Sequence, residues 1–354
     1  MGKFIIGFLT LALVAPALAQ APLPAIPPPQ NIPKPGPVTK SAYAPQALLP
    51  GGIVVPLYAP DSPLLNPKRI REAEVYTMSA AVPGRVERIT NIHNPSIEVH
   101  LAGGGNNTGT AIILAPGGGH SILVTATEGT DPVPYFFQYG INTIILRYRL
   151  RSSGYEPKTD GVYDIQQAIR IVRAHAAEWH IDPKKIGVMG FSAGAELTTA
   201  SALQYPEADG KNKASTDPLA GISARPDFVG VIYPGPSLFT PAWTSKNGTP
   251  PIPKDVPPSF IASGGWQDKI TAVWADEYFS AMLNAGVPNV EMHIYGRGPH
   301  AGGFSYRNFT ALGGWPDRFI HWLRDLGFFQ KPGMETLAAQ DMADFVKQPA
   351  APKP

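Results

Sequence analysis

The chain has 354 residues, 44% of them hydrophobic and 16% charged, with a formal net charge of +2 and no cysteine. That length and apolar content can bury a large core as one α/β domain with tails. The small net charge and lack of a Lys/Arg block leave no electrostatic footprint for nucleic acid or anionic lipid. The missing cysteine excludes disulfides, thiolate zinc sites, cysteine nucleophiles and a lipid-anchored cysteine behind a leader.

Taken in order, Met1–Ala19 reads as a signal peptide, with Lys3 as the positive start, Phe4 to Val14 as the apolar run and Ala17-Leu18-Ala19 as the cleavage site. The run falls short of the roughly 18 apolar residues that mark a membrane-spanning helix. The expectation is therefore a mature protein beginning near Gln20, secreted or periplasmic, with no membrane contact after cleavage. Residues 20–60, rich in Pro and Ala, read as an extended spacer, because proline cannot donate to a ladder or sustain a helix. Residues 61–330 read as the folded domain and 331–354 as a C-terminal tail.

Between the tails, strand and helix patterns alternate. Ser96–Leu101 alternates polar and apolar residues, as a half-exposed strand would, whereas Ala111–Ala115 and Thr143–Leu146 are continuous apolar runs of the kind buried on both faces. Further strands are expected at Ile186–Met189, Phe228–Tyr233, Phe260–Ser263 and Val290–Tyr295. Helices are expected at Asp131–Gln138, Gly161–Trp179, Ser192–Leu203, Ala272–Ala285 and Pro316–Leu326. This order predicts an α/β fold with a mostly parallel central sheet and helices on both faces.

In such sheets reactive groups collect at the carboxyl ends of the strands. At one of these ends stands Gly190-Phe191-Ser192-Ala193-Gly194, a strand, sharp turn and helix that would thrust the Ser192 hydroxyl above the sheet as a nucleophile. Upstream, Gly117-Gly118-Gly119-His120 follows the strand Ala111–Ala115; the N–H groups of Gly117 or Gly118, with that of Ala193, are candidates for an oxyanion hole. Asp268 follows the strand Phe260–Ser263 and is the candidate acid, able to fix a histidine tautomer. His300, in a glycine-rich loop after Val290–Tyr295, is the candidate general base. His120 and Trp266 are candidate substrate contacts, with Tyr135 a further aromatic that could stack on sugar. No metal-ligand spacing such as H-E-x-x-H and no nucleotide-binding glycine motif is present, so neither metal nor cofactor is expected.

The chain order of nucleophile, acid and base, with an oxyanion loop upstream, resembles the α/β-hydrolase superfamily over about Val86 to Phe329. Tyr148-Arg149-Leu150, the helix with Asp164 and Ala168 to Arg173, Asp182-Pro183, Arg225-Pro226-Asp227 before Tyr233-Pro234-Gly235, and Ala285-Gly286-Val287-Pro288 are similar to its acetyl-xylan-esterase/acetylesterase-like branch. Departures from that pattern are His120 in place of a tyrosine after the glycine run, Ala195 in place of a glycine, and Pro299 and Ala301 around His300. The resemblance implies hydrolysis of short-chain esters on small molecules or acetylated oligosaccharides. A general short-chain carboxylesterase fits the same residues. A peptidase of the prolyl-oligopeptidase type would need a gating domain for which the chain has no room, and a non-catalytic binding module would be expected to lack part of the triad.

Overall fold

The computed structural model describes residues 33–212, 217–306 and 311–348. The signal-peptide reading of Met1–Ala19 lies outside these residues, as do residues 20–32 of the proposed spacer. Ten strands are described: β1 (Ile53–Pro56), β2 (Val75–Met78), β3 (Val86–Thr90), β4 (Ser96–His100), β5 (Ala111–Ala115), β6 (Asn142–Arg147), β7 (Ile186–Phe191), β8 (Phe228–Ile232), β9 (Ser259–Gly264) and β10 (Val290–Tyr295). Eight form one sheet in the order β1-β4-β6-β5-β7-β8-β9-β10, while β2 and β3 make a separate antiparallel pair. From β6 to β10 every pairing is parallel, and only the β1–β4 and β4–β6 pairings are antiparallel.

The central strands are apolar throughout because both of their faces are covered. Successive side chains point to opposite faces, and the residues divide accordingly: Ile113, Val188, Val229, Val231 and Ile261 join one buried cluster, whereas Ile112, Leu114, Met189, Phe228 and Phe260 join another. Helices α1 (Pro132–Phe137), α2 (Val162–Ala174), α3 (Ala193–Asn212), α4 (Pro241–Asn247), α5 (Lys269–Asn284), α6 (Trp315–Asp325) and α7 (Leu337–Lys347) connect and follow the strands. Residues of α2, α3 and α5 fill the first cluster and those of α1 and α6 the second. The α/β architecture expected from the alternation is present, with helices on both faces of a mostly parallel sheet. Among the described residues no helix is long and apolar enough to cross a membrane.

Three segments depart from the sequence reading. The strand β4 is buried along its whole length and is not half-exposed. Two of its polar positions, Glu98 and His100, belong to a buried network: the Glu98 carboxylate accepts bonds from the Leu48 and Leu49 N–H groups at 2.8 to 2.9 Å and from Arg147 at 2.7 Å, with His100 at 3.0 Å. Arg147, fully buried, also donates to Glu74 at 2.9 Å. Burial pushes the Glu98 carboxyl up, but His100, Arg147 and the two amides outweigh it and hold it below its ordinary value. Polar residues alternating with apolar ones thus mark a buried ion network as readily as a solvated face.

The second departure follows from the first. The segment expected to be a spacer as far as Pro60 joins the fold from Tyr43 onward, since Tyr43, Leu48 and Leu57 are buried and β1 pairs with β4. Proline content hid a strand at the sheet edge, where a missing N–H can be tolerated. Thirdly, within the segment read as a tail, Thr336 accepts from the Ala339 N–H to cap α7, and Ala338 and Met342, four residues apart, turn one face inward.

Glu98→Ala should cost about 3–5 kcal/mol of unfolding free energy, because it strands a buried guanidinium short of a carboxylate and frees the Leu48 and Leu49 amides. Denaturant titration measures the loss, and limited proteolysis should cut first near residues 46–52. A cost below about 1 kcal/mol would show that the network does not hold the N-terminal segment.

Candidate active site

The turn between β7 and α3 is built by close approach. Ser192 has φ +51°, a left-handed conformation unusual for a residue with a side chain. A Cβ on Gly190 would lie 2.4 Å from the Gly194 carbonyl oxygen, and one on Gly194 would lie 2.0 Å from that of Ala115. Only glycine lets strand, turn and helix meet this tightly. The Ser192 N–H donates to the Ile232 carbonyl at 2.9 Å, and its carbonyl accepts from the Gly235 N–H at 2.9 Å, which ties the strained residue to the end of β8.

The three residues singled out at separate strand ends meet here. Ser192 Oγ lies 2.9 Å from His300 Nε2, and His300 Nδ1 lies 2.9 Å from Asp268 Oδ2. Asp268 ends a short 3₁₀ turn after β9 and is buried, whereas the His300 side chain is 41% exposed in the loop after β10. A buried carboxylate below an accessible imidazole holds the ring by one nitrogen and leaves the other for the serine hydroxyl. Such a chain can move a proton from Oγ to Nε2 while the carboxylate stabilises the charge left on the ring.

The glycine loop after β5 reaches the same place, with one change of role. The Gly117 N–H donates to Glu128 Oε2 at 2.6 Å. It is therefore engaged by a buried carboxylate and is not free to receive an oxyanion. Gly118 is left as the candidate from this loop; its carbonyl accepts from the Ser121 and Ile122 N–H groups, and no partner for its N–H occurs among the described residues. Ala193 is the first residue of α3, where helix N–H groups have no intrahelical acceptor.

His120 differs from its expected role as a substrate contact. It is buried, takes a left-handed φ of +60°, and its Nε2 lies 2.9 Å from Glu196 Oε2. Glu196, four residues after Ser192 on α3, pairs through its other oxygen with Lys158 at 2.9 Å, and the Lys158 ammonium sits 4.7 Å from the Trp243 ring centroid. The ring is committed to a carboxylate beneath the loop, so it braces the loop and presents no open face. Tyr135 is likewise buried among Phe136, Phe304 and Tyr139, with its hydroxyl donating to Asp317. Trp266 is the opposite case, 76% exposed in the turn that ends at Asp268.

Two residues of the site were given no site role by the sequence: Glu128 carried no signal, and Tyr233 entered only as part of the segment Tyr233-Pro234-Gly235. Glu128 lies in an irregular turn before α1, in a stretch without a catalytic spacing, yet it is 1% exposed and binds both Gly117 and the Tyr233 hydroxyl. Tyr233, with φ +35°, packs its ring edge-on to that of His300 at 5.3 Å between centroids. Only the pairing of a buried carboxylate with a tyrosine at a strand end, visible in three dimensions, reveals them.

Comparison with known proteins places the chain among esterase-like sequences and folds. Residues 97–232 match the BD-FAE family. An acetylxylan esterase of Xylanibacter ruminicola is 30% identical over 250 residues, which is 64% of this chain and 46% of that protein. The chain thus spans about half the length of that curated relative. The solved structure of an acetyl ester-xyloside bifunctional hydrolase from Caldicellulosiruptor lactoaceticus superposes with a TM-score of 0.61 at 25% identity, covering 80% of this chain and 99% of that one. A thermophilic esterase of Thermogutta terrifontis, solved with propionate, gives a TM-score of 0.54 at 23% identity over 67% of this chain and 91% of its own, a likeness of fold.

Proposed function

We propose that this chain, which belongs to the α/β-hydrolase superfamily, is an exported serine esterase that removes short acyl groups, acetyl above all, from acetylated plant carbohydrate. The observation that carries the proposal is the unbroken hydrogen-bond chain from Ser192 Oγ through both nitrogens of His300 to Asp268. Similarity to an acetylxylan esterase and to an acetyl ester-xyloside hydrolase supports the substrate class, and the exposed Trp266 beside the acid turn supports a sugar-stacking contact. The signal-peptide pattern read in the sequence of Met1–Ala19 supports export.

In this reading Ser192 Oγ attacks the acyl carbonyl as His300 Nε2 takes its proton, with Asp268 holding Nδ1–H. The N–H groups of Ala193 and Gly118 receive the oxyanion of the tetrahedral intermediate. The carbon–oxygen bond to the alcohol breaks, His300 returns the proton to the leaving oxygen, and an acyl-Ser192 ester remains. Water deprotonated by His300 then attacks that ester and releases the carboxylic acid with free Ser192.

The test is a panel of p-nitrophenyl esters of increasing acyl length beside acetylated xylo-oligosaccharides, scored by kcat/KM. Acetate should lead the acyl series, and acetate should be released from the oligosaccharide. Cleavage of peptide amides with no ester turnover would reject the proposal.

A further inference from the structure

The residues that hold substrate-facing groups in place converge on one carboxylate that the hydrolytic cycle itself does not use. Glu128 Oε2 accepts the Gly117 N–H at 2.6 Å, and Oε1 accepts the Tyr233 hydroxyl at 2.8 Å. The Tyr233 oxygen in turn accepts the Gly303 N–H at 2.8 Å, three residues beyond His300. Gly303, at φ +48°, passes so close that an added Cβ would lie 2.1 Å from the Thr127 oxygen and 3.0 Å from Glu128 Cγ. Three loops, after β5, β8 and β10, therefore share one anchor.

The geometry points to Glu128 as a positioning residue that fixes the oxyanion loop and the His300 loop relative to each other through a single buried carboxyl group. This inference rests on the reading of Ser192, Asp268 and His300 as an ester-hydrolysing triad. Both contacts made by Glu128 come from donors, so its charged form satisfies them and its protonated form adds a hydrogen where two donors already point. Burial pushes the carboxyl up to about 7, against the opposing pull of the Gly117 N–H, the Tyr233 hydroxyl and the His300 charge. The titratable groups facing it are Tyr233 from the end of β8, Tyr148 from the end of β6, and His300. Burial holds both tyrosines above their ordinary value, so they stay uncharged beside the carboxylate. The anchor is thus complete above about pH 7 and is released as protons are added below it.

Glu128→Gln keeps the shape and one acceptor but replaces the other with a donor. A misplacement of about 1 Å costs on the order of a hundredfold, so kcat should fall by about that factor with KM within about twofold. The fall of kcat/KM on acidification through about pH 7, to which protonation of Glu128 contributes, should have a shallower slope in the variant. Hydrogen exchange should quicken at residues 116–119 and 297–304 while circular dichroism is unchanged. Wild-type kcat, slope and exchange in the variant would overturn the inference. If Glu128→Gln does not fold, Tyr233→Phe removes only the hydroxyl bridge; exchange should then quicken at 297–304 and not at 116–119, and no change in either would overturn the inference. A wild-type protein without ester turnover would reject the esterase reading alone, and the exchange data would still decide the role of Glu128.

Discussion

Replacing Ser192 by alanine should lower ester turnover by on the order of 10⁶, the loss expected when a nucleophile acting in concert with its base is removed. The fold should survive. Ser192 Oγ has His300 as its one hydrogen-bond partner among the described residues, and the backbone bonds that hold the turn, from the Ser192 N–H to Ile232 and from the Gly235 N–H to Ser192, do not involve the side chain. Unfolding should therefore occur within about 0.5 kcal/mol of the wild-type value, as for substitutions that disturb neither packing nor buried bonds. Titration of p-nitrophenyl acetate hydrolysis, paired with thermal unfolding, measures both. Turnover within tenfold of wild type would remove Ser192 from the chemistry.

Asp268→Asn should cost about 10⁴ in kcat, a different loss for a different reason. The substitution preserves volume in a buried position and leaves the Asp268 N–H bonded to the Gly265 carbonyl at 3.1 Å. What changes is the partner of His300 Nδ1. An amide nitrogen turned towards the ring would donate, so Nδ1 would have to accept and Nε2 would carry the hydrogen. In that tautomer Nε2 cannot take the proton of Ser192. The outcome to measure is a low kcat with an intact near-ultraviolet dichroism spectrum; a loss smaller than about tenfold would mean that Asp268 is packing and not orientation.

The fold was legible wherever residue pattern and environment agree. The apolar runs at β5, β6 and β8 are buried on both faces, and the Gly-x-Ser-x-Gly turn lies between the strand and helix that its sequence implies. Legibility failed where polar groups are satisfied inside. Glu98 and Arg147 look like surface residues until the Leu48 and Leu49 amides and Glu74 are seen around them, and the edge strand Ile53–Pro56 is masked by the prolines beside it. At the site, the pattern singled out three residues that the fold brings into hydrogen-bond contact. It could not tell Gly117 from Gly118, because which N–H is free depends on Glu128, eleven residues away. Nor could it foresee that His120 turns inward to Glu196, since a histidine after a glycine run has no preferred direction until a partner is placed beneath it.

Trapping the acyl-enzyme tests the central proposal most directly. Protein quenched in acid during turnover of p-nitrophenyl acetate, then digested and weighed by mass spectrometry, should carry one acetyl group on the peptide containing Ser192, and none in Ser192→Ala. Steady turnover with the acetyl group on another residue, or with Ser192 unlabelled under conditions where deacylation has been slowed, would contradict it.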